Sequence, residues 1–335
     1  MLKVLLFWNP TEEELNIIET KWPKEVEIIN STDIKEDRNK IRDIDVIIGG
    51  INRALLEQAQ NLKLIHTLGH GIDFILNEGI QEELIKRGIL VAKANPAAIN
   101  IPEFVIMCMI ALSRRVFLMH EALAFHGSWS QERKKDRMKG SLGGELFGST
   151  LGLVGFGAIG KEVYKRAKAF EMRINVCVLH PERVPRDQYE LELVCGLDDI
   201  DKLLSNSRYV VLSLPLTPKS YHLMNGERFS MMQDGSYLIN ISRGGIIDER
   251  ALYQVLRSGK LAGAGLDVWE IEEKGLNGGY PTEYPLHNFN VIMTPHYSGA
   301  TKESRERALI NIGENLRRFI KGEQLLGLAD LESGY

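Results

Sequence analysis

Cysteine is scarce in this 335-residue chain: Cys108, Cys177 and Cys195 are the only three. They form no C-x-x-C pair and no cysteine–histidine spacing of a zinc site, so neither a disulfide framework nor a bound metal is expected. A reducing cytoplasm is the natural setting for such a chain. The longest apolar run, residues 104–112, falls well short of the roughly 20 residues of a membrane-spanning helix and reads as a buried helix. The opening residues 1–8 lack a signal-peptide core and a small-residue cleavage site, so they read as a first strand. Neither charge dominates: 41 basic and 45 acidic side chains leave a net −4, which offers no long-range attraction to nucleic acid or an anionic membrane. The basic stretch 133–137 reads as a solvated helix face, and no repeat of solenoid period is present.

Short apolar runs alternating with helical patterns fill the rest. Candidate strands at 3–7, 26–29, 45–48 and 62–67 form one α/β series, with a helix over 11–20. Thr11 and Glu14 have the spacing of a capping box, in which hydroxyl and carboxylate each satisfy a helix-start N–H. Asn100 and Glu103 repeat that spacing. With Pro102 in the first turn, they predict one long helix from 101 to 125. A second series has strands at 150–154, 173–178, 209–214, 237–241, 262–268 and 291–294, nearly continuous apolar runs of the kind found where helices cover both faces of a parallel sheet. A last helical pattern, 302–321, has no strand to feed and is expected to return to the first series. The expectation is two doubly wound parallel-sheet α/β domains, with ligand chemistry in the crevice between them. Residues 1–100 and 296–335 would form a flavodoxin-like substrate domain, and 101–295 an inserted Rossmann-type cofactor domain.

Gly155-Phe156-Gly157-Ala158-Ile159-Gly160 is G-x-G-x-x-G placed at a strand end and opening a helical pattern, the context a dinucleotide site requires. The first glycine permits the turn, the second lets backbone approach a pyrophosphate, and the third lets helix pack on sheet. The acid that normally binds the adenine ribose about 20 residues on is missing. Val178 stands there, followed by His180, Arg183 and Arg186. An apolar residue with cations nearby favours the 2′-phosphate of NADP over NAD. Glu182 is the route by which NAD would be served instead.

From the glycine loop onward, and over most of the chain, the sequence resembles the D-isomer-specific 2-hydroxyacid dehydrogenases, a family that includes glyoxylate/hydroxypyruvate reductases. The residues that carry the resemblance are Leu68-Gly69-His70-Gly71-Ile72-Asp73, Trp129, Glu145-Leu146, Leu214-Pro215-Leu216-Thr217-Pro218, Asn240-Ile241-Ser242-Arg243-Gly244-Gly245, Gly265-Leu266-Asp267-Val268 and Thr294-Pro295-His296. It implies a catalytic set of Arg243, Glu272 and His296. It also implies that His70 and Gly71 present backbone N–H groups to a substrate carboxylate, that Asp267 holds the nicotinamide carboxamide, and that Pro215 and Thr217 line the cofactor. The chemistry agrees: a guanidinium can bind the carboxylate and polarise the ketone of a 2-keto acid. A histidine can supply or take the proton, and a carboxylate on its far nitrogen can raise its pKa.

Glu273 replaces the proline that follows the catalytic glutamate in such enzymes, so Glu270 and Glu273 stand beside Glu272 as alternative partners of His296. His66 reads as a core residue. The expected reaction is reduction of a small 2-keto acid such as glyoxylate or hydroxypyruvate by a homodimer. The alternatives are 3-phosphoglycerate oxidation and a cofactor-sensing module of the kind seen in corepressors that resemble this family.

Overall fold

Thr11 opens the first helix through the expected capping box: its hydroxyl accepts from Glu14 N at 3.3 Å, and the Glu14 carboxylate accepts from Thr11 N at 3.0 Å. The computed structural model describes all residues except 31–37, 70, 73–74, 76–78, 128, 130–142, 273–277 and 332–335. They divide into two compact units, Met1–Ala97 with Ala300–Tyr335, and Ala98–Gly299.

The first unit is built on five parallel strands, β1 (Leu2–Leu6), β2 (Val26–Asn30), β3 (Val46–Ile48), β4 (Leu64–Thr67) and β5 (Leu90–Lys93). Their order, β2-β1-β3-β4-β5, is the flavodoxin-like one. Helices α1 (Glu12–Lys21), α2 (Arg53–Gln58) and α3 (Gln81–Lys86) connect them. Val46, Ile47 and Ile48 are fully buried, each contributing about 1.5–3 kcal/mol through loss of apolar surface to water. The C-terminal helix, Lys302–Lys321, packs on α1 of this unit. Gly313 allows the approach: a Cβ there would lie 2.6 Å from Trp22 Cδ1, and Trp22 Nε1 donates to Leu309 O at 2.8 Å. His66 is a core residue, as its apolar strand implied; Nδ1 lies 2.8 Å from Thr67 O and Nε2 2.8 Å from Asn315 Nδ2.

Seven parallel strands form the second unit: β6 (Thr150–Val154), β7 (Arg173–Cys177), β8 (Leu193–Cys195), β9 (Tyr209–Leu212), β10 (Ser236–Asn240), β11 (Leu261–Leu266) and β12 (Val291–Met293). Their order, β12-β11-β10-β9-β6-β7-β8, is the doubly wound arrangement whose strand order reverses between β6 and β9. The short strands β5 and β8 went unread in the sequence, because three or four residues carry too little alternation to register.

The long helix expected over 101–125 is two helices, α4 (Asn100–Arg114) and α5 (Val116–Ala124), divided at Arg115 with φ +52°. Side-chain and loop donors make the break: Asn290 Nδ2 donates to Leu112 O at 3.0 Å and Gly144 N to Ser113 O at 3.0 Å, capturing carbonyls a continuous helix would use. The second capping box does not form. Asn100 is already helical, its Nδ2 donates to Ser298 O at 3.2 Å, and its Oδ1 is buried without a partner among the described residues. By length and composition Pro96–Arg114 could cross a membrane, contrary to the shorter run read above, but it is 61% buried and α4 packs on β10, β11 and the helix after β6. His296, placed by connectivity with the first unit, lies in the second, where its N–H donates to Asp267 O at 2.7 Å.

Candidate active site

The glycine loop joins β6 to α6 (Ala158–Ala169) at the reversal point of the sheet. Gly155 has φ +102°, and a Cβ on it would fall 2.4 Å from Ser213 O. A Cβ on Gly160 would lie 2.5 Å from Gly155 O, so helix and strand approach only because both positions are glycine. Gly157 is the N-cap and supplies no side-chain acceptor, which leaves the first N–H groups of α6, from Ala158, Ile159 and Gly160, for an external anion. The cradle and the bare helix start fit a pyrophosphate.

Among the described residues the remaining α-helices of this unit are α7 (Ile200–Ser205), α8 (Gly226–Met231) and α9 (Glu249–Arg257). Arg243 follows β10 in a turn held by the buried Asn240, whose Oδ1 accepts from Ser242 N at 3.0 Å and Ser242 Oγ at 2.8 Å while Nδ2 donates to Arg243 O at 2.9 Å. Gly244 brings this turn against the segment after β11: a Cβ there would stand 1.9 Å from the Trp269 carbonyl carbon. Trp269 Nε1 in turn donates to Thr294 O at 3.0 Å, just before His296. Three loops at the C-terminal ends of β10, β11 and β12 therefore converge.

His296 Nδ1 sits 3.1 and 3.0 Å from the two oxygens of Glu272, with the side chains 50% and 39% exposed. Its φ of +55° is a left-handed conformation costing a non-glycine residue about 1–3 kcal/mol. Asp267 holds it there. One carboxylate oxygen accepts from Thr294 Oγ1 at 2.6 Å and Tyr297 N at 2.7 Å; the other accepts from Ser298 N at 3.0 Å and from Ser298 Oγ.

The hydrogen bond to Glu272, aided by its charge, lifts the His296 imidazole above its usual pKa against burial and the Arg243 charge. Burial pushes the Glu272 carboxyl up, but His296, the Trp269 N–H and Arg243 outweigh it and hold the carboxyl below its usual range. The Arg243 guanidinium acts on both partners, so the structure gathers Arg243, Glu272 and His296 at one place.

Glu270, the alternative partner, points elsewhere: its Oε1 lies 3.0 Å from His222 Nε2 and accepts from Tyr221 OH at 3.2 Å. Glu273 and His70 lie outside the described residues; Gly71 is described, after β4 of the first unit. Asp267, expected to hold the nicotinamide carboxamide, accepts from four internal donors and so shapes the His296 turn.

Thr217 is likewise engaged within its own turn, its N–H donating to Ser220 Oγ at 2.7 Å, while Pro215 O accepts from the same hydroxyl at 2.7 Å. His180 Nδ1 and Arg183 Nε both face Glu182 Oε1, at 3.3 and 3.9 Å. Tyr221 and His222 escaped the sequence reading: nothing in the local pattern reveals a contact made from 48 residues away, as His222 makes with Glu270.

Residues 106–298 match the family model described as D-isomer specific 2-hydroxyacid dehydrogenase, NAD binding domain. A glyoxylate reductase from Pyrococcus furiosus is 32% identical over 94% of this chain and 89% of its own length. The chain belongs to the D-isomer specific 2-hydroxyacid dehydrogenases. As a member of that family it is an oxidoreductase with a NAD(P)-binding domain, acting on small hydroxy or keto acids. It is also 34% identical, over 96% of its length, to a D-3-phosphoglycerate dehydrogenase from Methanocaldococcus jannaschii, of which it spans only 58%. Among solved structures, a D-lactate dehydrogenase from Aquifex aeolicus, complexed with NAD and lactic acid, superposes with a TM-score of 0.71 at 29% identity, covering 96% of each chain.

Proposed function

We propose that this dehydrogenase reduces a small 2-keto acid, glyoxylate or hydroxypyruvate, with Arg243, Glu272 and His296 as the residues that act on it. The observation that carries this reading is the double contact of Glu272 with His296 Nδ1, beside a guanidinium that acts on both. Arg243 offers directional, charge-assisted donors to a carboxylate and an adjacent ketone. The nicotinamide, when bound, supplies the hydride. His296 has Nδ1 committed to Glu272, so Nε2 is the atom that delivers a proton to the substrate oxygen, or removes it in the reverse direction. Gly71 and His70 would serve the substrate carboxylate through backbone N–H groups.

The cofactor reading is NADP(H), supported by apolar Val178 and by Arg183, whose side chain is 76% exposed. Glu182 favours NAD: its Oε1 already faces His180 and Arg183, and a 2′-phosphate would have to displace it. A homodimer is supported by the exposed apolar side chains of α5 and its continuation, Phe117, Leu118, Leu123 and Phe125, which are 41–74% exposed. A cytoplasmic location is supported by three free thiols.

Steady-state rates with glyoxylate, hydroxypyruvate, pyruvate and 3-phosphohydroxypyruvate, each with NADH and NADPH, test the reading. Fastest turnover of the phosphorylated substrate would move the assignment to phosphoglycerate chemistry. Cofactor binding without turnover of any of the four would favour the sensing module.

A further inference from the structure

Cys177 and Cys195, distant in sequence, meet on the sheet. They are the last residues of β7 and β8, and the register sets them directly opposite each other. Paired strands lie about 4.8 Å apart and opposed residues project from the same face. A disulfide accepts a Cα separation of about 4.4–6.8 Å, so the spacing suits one. β8 is a three-residue strand at the sheet edge, paired on one side only. The third cysteine is a contrast: Cys108 is buried on α4 beneath Gly265, with no cysteine opposite it.

The two thiols differ in environment. Cys177 is fully buried and donates to Gly196 O at 3.2 Å. Cys195, itself only 6% exposed, borders a solvent-open cavity of about 660 Å³ together with Arg186, Gly196, Asp199 and Lys202. The neighbouring Cys177 side chain holds the Cys195 thiol below its usual pKa, against burial, whereas the same contact and burial push Cys177 up. Burial pushes Cys108 up to about 12. Thiolate character and access decide which cysteine reacts.

We propose that Cys177 and Cys195 form a modification site, a dithiol that a small hydroperoxide oxidises to a disulfide through Cys195. The Cys195 thiolate attacks the peroxide: an S–O bond forms, the O–O bond breaks, and the alcohol or water leaves, giving a sulfenic acid. The Cys177 thiol then attacks the Cys195 sulfur; the S–S bond forms, the S–O bond breaks, and water leaves. Two thiols lose two electrons, which reduce the peroxide. A small dithiol reverses the bond by exchange.

Hydrogen peroxide titration of the full chain, followed by thiol counting under denaturing conditions and peptide mapping, tests the site. Free thiols should fall from three to one, with a Cys177–Cys195 linked peptide and Cys108 free, and dithiothreitol should restore three. In Cys177→Ser, a dimedone adduct should accumulate on Cys195. Three surviving thiols, a link involving Cys108, or a sulfinic acid on Cys195 with Cys177 still reduced would each overturn the proposal. The wild-type arm needs no variant to fold.

Discussion

Replacing Glu272 by Gln isolates what its charge does for His296. Glutamine keeps an acceptor for Nδ1–H, so the tautomer survives, but the negative charge is lost. A hydrogen bond between charged partners contributes about 1.5–3 kcal/mol. With side chains 50% and 39% exposed, solvent screening puts this pair just below that range, at about 1.4 kcal/mol. That predicts a roughly tenfold loss of kcat for keto-acid reduction near neutral pH.

The pH profile carries the sign. Glu272 raises the His296 pKa above its ordinary 6.5, so the protonated donor persists to higher pH in the native enzyme. Reduction needs that proton, and its rate falls as pH rises through the His296 pKa. In Glu272→Gln this alkaline fall moves to lower pH, and the acid limb of the oxidation direction moves the same way. Stopped-flow measurement from pH 5 to 9 of cofactor oxidation with the keto acid, and of cofactor reduction with the hydroxy acid, reads the two limbs. An unmoved or alkaline-shifted limb would refute the reasoning, whatever happens to the rate at one pH.

Other consequences can be checked separately. Glu270→Ala removes the acceptor shared by Tyr221 and His222 two residues before Glu272, and a roughly tenfold fall in kcat is expected. If the loss acts through Glu272, a double-mutant cycle with Glu272→Gln will be non-additive. Gly244→Ala places a Cβ 1.9 Å from the Trp269 carbonyl carbon and should cost roughly 3 kcal/mol or more, read as a lowered urea midpoint. His66 is fully buried, and burial pushes its imidazole from 6.5 down to about 4. The unfolded chain therefore takes up this proton first as pH falls. Stability is full above pH 6.5 and declines by about 3 kcal/mol toward pH 4. In urea unfolding, the loss between pH 6.5 and 4 should be larger in wild type than in His66→Gln by about that amount.

Much of the architecture is legible locally. A strand in a parallel sheet is a short apolar run, a helix start needs an acceptor such as Thr11, and a glycine loop at a strand end reports a close backbone approach. Those rules operate within a few residues, and so the two α/β series and the position of Gly155 could be read directly. The limit shows at Arg115, where propensity favours a continuous helix and the break comes from Asn290 and Gly144.

Within the site, the arginine and histidine positions followed from motif order, but which glutamate faces His296 did not. Glu270 and Glu272 differ by two residues in sequence and point to different histidines, because the turn after β11 directs one toward His222 and the other toward His296. The capture of Asp267 by the Thr294–Ser298 turn and the meeting of Cys177 with Cys195 are similar cases. Sequence determined the elements, their order and the residue types available for hydride-transfer chemistry. Tertiary structure decided the partners, because hydrogen bonds and ion pairs act over about 3 Å, and only folding brings residues tens of positions apart within that range.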